Sequence, residues 1–311
     1  RLASVFMQAE AILPKGWIVT AGMSLNTTAV TFNRLSVVPS FQYNTRFNNE
    51  LAPRVSLLKK ITGALSVYGL VSKGFSPPTV AELLPSTSVI NTELQAEKGI
   101  NYELGFRGGL FANRLSLDIN AFDFRLQNAI TQRRDISGAD YFQNAGDTKQ
   151  QGLEGAVSYQ VIRNSDRLVN KLIAWFNYTY QDFHYKNFKQ LNNDFSGKQI
   201  PSIAPHTVAS GIDLDTKPGW YGSLTYYYSD PIALNDANSD FASSYNLLGF
   251  RTGIRKSFGN RLKADIFISG DNLLNEKYSL GNDINAAGSR FYNTAAGVNY
   301  QAGVSLQYVS K

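Results

Sequence analysis

Groups able to do chemistry are few in this chain and concentrated in its polar segments. There are two histidines, His184 and His206, and no cysteine. Without thiols, disulfides and thiolate metal sites are excluded. No Gly-x-Ser-x-Gly elbow, His-Glu-x-x-His zinc motif or phosphate-binding loop occurs. Asp182 and His184 stand two residues apart. A carboxylate beside an imidazole is the base half of a hydrolytic site, which also needs a nucleophile or an activated water. His206 follows a proline and reads as structural. The remaining candidates are arginines and tyrosines: Arg133, Arg134 and Tyr141 in one polar segment, Tyr185 beside His184 in a second, Arg290 and Tyr292 in a third. Guanidinium forks suit the paired oxygens of carboxylates and hydroxamates.

The elements that must position these groups are strands. Ile100, Tyr102, Leu104 and Phe106 alternate with Asn101, Glu103, Gly105 and Arg107, giving one apolar and one charged face. The same period recurs along the chain. Leu262, Ala264, Ile266 and Ile268 oppose Lys263, Asp265 and Ser269, and Tyr300 to Tyr308 alternates most cleanly. Trp175 falls on the polar side of its strand, without an explanation in the pattern. Roughly thirteen strands result. Tight turns are expected near Lys15, Thr62, Phe111, Asp166, Lys217 and Asn260. Between them lie long polar connections: from Asn26 to about Leu51, with a short strand from Val37 to Tyr43; beyond Lys73, where Pro77-Pro78 stops the ladder; and the segments Arg133 to Gly146, Phe183 to Ala204, Asp230 to Ser243 and Asn275 to Asn293. Gly108 to Asn113 reads as a turn.

Connections that alternate short and long are the pattern of a transmembrane β-barrel, with short periplasmic turns and long extracellular loops; a soluble sandwich has no reason to sort its loops this way. The chain holds 19 Phe and 17 Tyr, a surplus that interfacial girdles would use, and Trp17 and Trp220 each follow a short turn. No apolar run of about eighteen residues occurs, which argues against a transmembrane helix and leaves a barrel untouched. The net charge of +6 comes without a clustered basic stripe, so nucleic acid is not an expected partner. The fold expected is all-β: an antiparallel transmembrane barrel, present as a partial barrel.

Several motifs, in order, carry a family resemblance. Gly74-Phe75-Ser76-Pro77-Pro78-Thr79, Ala81-Glu82-Leu83 and Asn101-Tyr102-Glu103-x-Gly105 resemble the barrel of TonB-dependent outer-membrane receptors, in particular the ferric-siderophore branch. Gly152-Leu153-Glu154-Gly155, Ile203-Ala204-Pro205-His206 and Asp271-Asn272-Leu273-Leu274-Asn275-Glu276-Lys277-Tyr278 are similar to later elements of the same family. The resemblance spans essentially all of residues 1–311. It implies a plugged barrel of about 22 strands, of which this chain is the C-terminal portion, with the plug, the TonB box and about nine strands upstream. One departure is that Val309-Ser310-Lys311 follow Tyr308, where the family ends on an aromatic residue.

The function implied is TonB-dependent, energy-coupled uptake of a ferric siderophore or similar iron chelate across the outer membrane. The implied partners are the ferric siderophore, the TonB complex through the plug region, and outer-membrane lipid. No cofactor, resident metal or catalytic residue is implied. Outer-rim arginines and aromatics bind the anionic chelate in this class, which makes Arg133, Arg134, Tyr141, His184, Tyr185, Arg290 and Tyr292 the candidate ligand residues. Glu103, Arg107, Glu154, Arg251 and Arg255 are expected to face the lumen, pairing around the wall and holding the plug. Two other readings stay open: a passive porin-type channel, and an outer-membrane hydrolase built on Asp182 and His184. Cobalamin and glycans are further candidate cargoes.

Overall fold

The structure is a computed structural model that describes residues 1–35, 40–85, 91–134, 137–144, 146–190, 192–259 and 261–308. Thirteen strands form one antiparallel sheet, each paired to the next in the chain. The first five are β1 (Leu2–Leu13), β2 (Trp17–Arg34), β3 (Phe41–Lys60), β4 (Leu65–Ser76) and β5 (Glu97–Leu110). The middle four are β6 (Leu115–Gln127), β7 (Asp147–Ile162), β8 (Val169–Asn187) and β9 (His206–Thr216). The last four are β10 (Trp220–Ser229), β11 (Tyr245–Phe258), β12 (Leu262–Asp271) and β13 (Asn299–Tyr308). β1 and β13 are the two ends of this order, so the sheet is an open segment of a barrel. The six expected tight turns all join strands at one rim, and the long connections all lie at the other.

Register sorts the side chains onto two faces. On β12, Leu262, Ile266 and Ile268 are exposed, while Asp265 is half-buried and Ser269 buried. The outer face carries Leu104, Leu153, Phe176, Ile212, Leu224, Val304 and Leu306, all exposed. Trp17 and Trp220 end this band at the short-turn rim. Tyr178, Tyr180 and His206 end it at the loop rim, where His206 stacks on both tyrosines and the Tyr178 hydroxyl lies 2.7 Å from His206 Nδ1. From Trp220 to Tyr228 β10 rises about 26 Å at ~3.3 Å per residue. A tilt of about 40° reduces that to ~20 Å, close to the apolar band of an outer-membrane barrel.

The inner face is polar and interlocked. Arg107 covers the Tyr68 ring, Arg251 covers Phe267, and Arg255 covers Tyr221 while pairing with Asp265 at 3.4 Å. Trp175 belongs to this face. Its indole lies across Gly211, where an added Cβ would meet the ring at 2.6 Å, and its N–H donates to Asp213 at 3.0 Å. Gly152 beneath Phe122 and Gly303 beneath Phe267 repeat the device. Aromatics on the inner face thus lie flat over cross-strand glycines, which explains a tryptophan on the polar side.

Strand ends depart from expectation toward the loop rim. The segment from Asn26 to Leu51 is a strand hairpin rather than a polar loop, with Thr28 paired to Phe47 and Arg34 to Phe41. Its threonines and Val30 favour extended backbone, and the hairpin is polar because it rises past the apolar band. Val37, expected to open a short strand, lies outside the described residues. β8 continues through Phe183 to Asn187 because β7 begins at Asp147 and supplies a partner for each of these residues except Lys186, which sits in a bulge. β5 runs through Gly108 and Gly109 to Leu110, so the turn is confined to Phe111–Arg114. β4 reaches Ser76 before Pro77-Pro78; then Thr79 and Glu82 form a capping box that starts the single helical turn Val80–Leu83.

Buried apolar residues concentrate in the loop layer, not within the sheet. Leu83 packs with Phe47, Leu94 and Ala96; Tyr185 packs with Phe188; Leu234 packs with Ala242 and Phe291. This inverts the arrangement of a soluble β-sandwich, whose core lies between its sheets, and it matches a wall whose apolar side meets lipid.

Candidate functional site

The long connections carry short hairpins of their own, Ile130–Arg134 with Asp140–Asn144 and Ser279–Asn282 with Tyr292–Thr294 among them. They are tied together across the loop rim. Ser202 N–H donates to the Ala233 carbonyl at 3.0 Å, and Asn285 N–H to the Leu234 carbonyl at 3.0 Å. Asn238 exchanges side-chain hydrogen bonds with the Gln199 backbone at 2.7 and 3.0 Å. Asn285 Nδ2 donates to the Gln132 carbonyl at 3.5 Å, so segments from four connections form one cap.

Asp236 is its centre, only 2% exposed. One carboxylate oxygen pairs with the Arg133 guanidinium, and the other accepts from the Tyr185 hydroxyl at 2.6 Å. The Asp236 N–H donates to Asn285 Oδ1 at 3.1 Å. Burial pushes the Tyr185 hydroxyl up to about 12, so it remains a donor at neutral pH. Arg133 is itself buried, with its guanidinium 4.8 Å from the Phe188 ring centroid. Burial pushes it below the ordinary arginine range, yet it remains a cation, held in a protein environment that makes an unpaired charge costly. Its Nε and Nη2 are buried and have no hydrogen-bond partner among the described residues. Arg133 lines a cavity of about 360 Å³ with Phe195, Asn235, Asn285, Ser289 and Phe291.

A larger cavity, about 860 Å³, lies between the inner face and the last long connection. Tyr227 and Tyr245 come from β10 and β11; Tyr278 and Tyr292 come from the connection. Tyr278 stacks on Tyr245 with ring centroids 4.9 Å apart. The Asp271–Tyr278 motif makes this possible. Asn272 side-chain bonds to Glu276 close the turn at 2.9 Å and deliver Tyr278 to the wall.

The candidate residues thus divide. Arg133 and Tyr185 meet at Asp236. Tyr141 is the cross-strand partner of Arg133, and its hydroxyl accepts from Gln190 at 3.5 Å. Tyr292 lines the larger cavity and is 59% exposed; Arg290 is exposed beside it in sequence. His184 points away from Tyr185, as neighbours on a strand must; its Nδ1 contacts Asp182 at 3.0 Å on the outer face. The Arg134 backbone closes its hairpin opposite Asp140, and its side chain lies outside the described residues. Sequence reasoning missed Asp236, Phe188, Tyr245 and Tyr278. Tyr227 and Tyr245 share the inner parity of their strands, a signal that was available; nothing local marks Asp236.

Comparisons with known proteins agree with this architecture. Residues 1–273 match the family described as TonB dependent receptor-like, beta-barrel. The ferric yersiniabactin uptake receptor FyuA from Yersinia pestis shares the fold at TM-score 0.71 and 18% identity, over 99% of this chain and 45% of that one. The unliganded ferric citrate transporter FecA does so at TM-score 0.76 and 17% identity, over 98% and 45%. The copper transporter OprC does so at TM-score 0.73 and 15% identity, over 98% and 47%. The chain spans less than half the length of these proteins. It belongs to the TonB-dependent receptor family, as part of the antiparallel barrel that defines it.

Proposed function

We propose that the complete protein is an outer-membrane receptor for TonB-dependent uptake of a ferric siderophore or similar anionic iron chelate. This chain forms the C-terminal part of its barrel, and further strands join the free edges of β1 and β13, because open edges are not tolerated in lipid. The observation that carries the reading is Arg133, a buried cation that lines the smaller cavity and whose Nε and Nη2 have no hydrogen-bond partner among the described residues. A planar pair of ligand oxygens would satisfy such a fork. The tyrosine-walled cavity nearby has the volume of a small-molecule site. The names of FyuA and FecA support iron chelates as the cargo class; that of OprC marks the alternative of a copper cargo. TonB would act through a plug carried by the rest of the protein.

The test is the affinity of the complete receptor for ferric chelates bearing carboxylate, hydroxamate or catecholate donors. One chelate should bind well, and Arg133→Gln should weaken it roughly tenfold or more, the loss expected for a charge-assisted contact. Absence of binding to every ferric chelate, together with a steady open conductance in planar bilayers, would replace the receptor reading with a passive channel.

A further inference from the structure

The six short turns carry a charge that the long connections do not. They hold Lys15, Arg114, Arg163, Arg167, Lys217 and Arg261, all exposed, and a single carboxylate, Asp166. Lys217 pairs with that carboxylate at 3.0 Å, and Arg163 donates to the Ala112 carbonyl at 3.2 Å. Lys15, Arg114, Arg167 and Arg261 form no ion pair among the described residues. The adjoining strand ends do not compensate. Lys59, Lys60, Lys171, Lys256 and Lys263 stand there against Asp215, which Lys171 answers at 4.0 Å. Further in, Glu10, Asp118, Asp213 and Asp265 point into the lumen, where Arg107 and Arg255 share the wall with them. The long connections are the reverse: residues 35–40, 77–96, 128–146, 188–205, 230–244 and 272–298 hold six Lys and Arg against ten Asp and Glu. No stretch of sequence is a basic stripe, but the fold gathers the net charge of +6 at one rim.

Neighbouring strands lie ~4.8 Å apart, and a tilt of about 40° spaces successive turns by about 12 Å along the rim. That is close to the Debye length of ~8–10 Å, so adjacent potentials merge. From the first turn to the last the cations follow an arc of roughly 60 Å. Lys15 lies two residues below Trp17, about 5 Å beyond the aromatic that ends the apolar band, and its stem carries the charge ~5 Å further. The headgroup layer is about 5–8 Å deep, so the turn cations reach past it into water. Lys59, by contrast, lies over the Trp17 ring at 5.0 Å and stays at the interface. An evenly spaced, curved row of cations on this scale fits a repeating polyanion, not a lone phosphate or a compact acidic patch.

We propose that the short-turn rim docks a carboxylate-rich polymer of the periplasm, the acidic peptide-linked glycan of the cell wall, whose repeated carboxylates pair with the turn cations. The proposal rests on the membrane placement given under Proposed function, in which this rim faces the periplasm.

The complete receptor in phosphatidylcholine nanodiscs would be co-sedimented with purified cell-wall sacculi. Lys15→Gln/Arg114→Gln/Arg167→Gln/Arg261→Gln should weaken binding roughly tenfold or more, the combined loss of several exposed pairs. Arg114→Lys/Arg167→Lys/Arg261→Lys, which keeps every charge, should bind like the parent, and so should Lys189→Gln/Lys198→Gln at the loop rim. Sacculi with amidated carboxylates should not retain the receptor. No co-sedimentation of the parent, equal binding by the quadruple variant or to amidated sacculi, or an equal loss in the loop-rim variant would each overturn the proposal. Loss of sacculus binding in nanodiscs that contain phosphatidylglycerol would assign the row to lipid and overturn it as well. In intact cells, a maleimide that cannot cross the outer membrane should leave Asn164→Cys unlabelled. Labelling would overturn the membrane placement, and the proposal with it; an unlabelled turn without sacculus binding would overturn the proposal alone.

Discussion

Replacing Asp236 by asparagine keeps the shape of the cap's centre and removes its charge. Arg133 would remain buried with no anion, while Tyr185 would still find an oxygen acceptor. Breaking a buried pair from one side costs about 3–5 kcal/mol. Among the described residues Arg133 has no hydrogen-bond partner for Nε and Nη2, and only the Phe188 and Phe195 rings would remain against its charge. The damage should stay local, since the pair joins connections and no strand of the sheet depends on it. At about 1.4 kcal/mol per decade, opening of the cap should rise by roughly two to three and a half decades. The assay is hydrogen exchange at the Ser202 and Asn285 amides, which bridge connections, against amides in the β9–β10 ladder. Exchange at Ser202 and Asn285 should accelerate while the ladder is unchanged. The apolar pair Arg133→Met/Asp236→Leu should restore much of the protection. Unchanged exchange in Asp236→Asn, or equal acceleration in the ladder, would refute the reasoning.

Other outcomes follow from the sheet. Trp175→Phe keeps a ring over Gly211 but loses the hydrogen bond to Asp213, so it should cost about 0.5–1.5 kcal/mol; Trp175→Ala should cost more, and urea unfolding in micelles reads both. Phe111, Ala112 and Asn113 all have φ between 52° and 60°, so Ala112→Gly should raise the unfolding free energy by about 1 kcal/mol. Tyr278→Ala should leave folding intact, as judged by heat-modifiable migration, and weaken chelate binding if the larger cavity holds cargo.

The wall was legible because each strand repeats a two-residue alternation, and lipid on one side enforces it. The six short turns were legible for a related reason: Pro14-Lys15-Gly16 and Gly259-Asn260 are local signals. The loop rim was not. Phe183 to Asn187 extends as strand because Asp147 to Gln150 lies beside it, a partner more than thirty residues away that no local window contains. Trp175 looked misplaced until Gly211, on the neighbouring strand, supplied the space it fills. The site followed the same rule. Arg133 was found by residue type, but its environment depends on Asp236, 103 residues on, within a polar stretch that differs little from any exposed loop. Tyr278 lay inside a motif that reads as family resemblance, and its partner Tyr245 identifies it as wall.

Every assignment above depends on which face of the sheet meets lipid. The chain has no cysteine, so single labels can be placed in it without removing native thiols. Nitroxides at Leu224 and Ile266, on the outer face, should be accessible to oxygen and shielded from a water-soluble nickel complex when the complete receptor is in bilayers. Nitroxides at Ser223 and Lys263, on the inner face, should show the opposite. The same accessibility at all four positions, or oxygen preference at Ser223 and Lys263, would contradict the barrel wall and everything built on it.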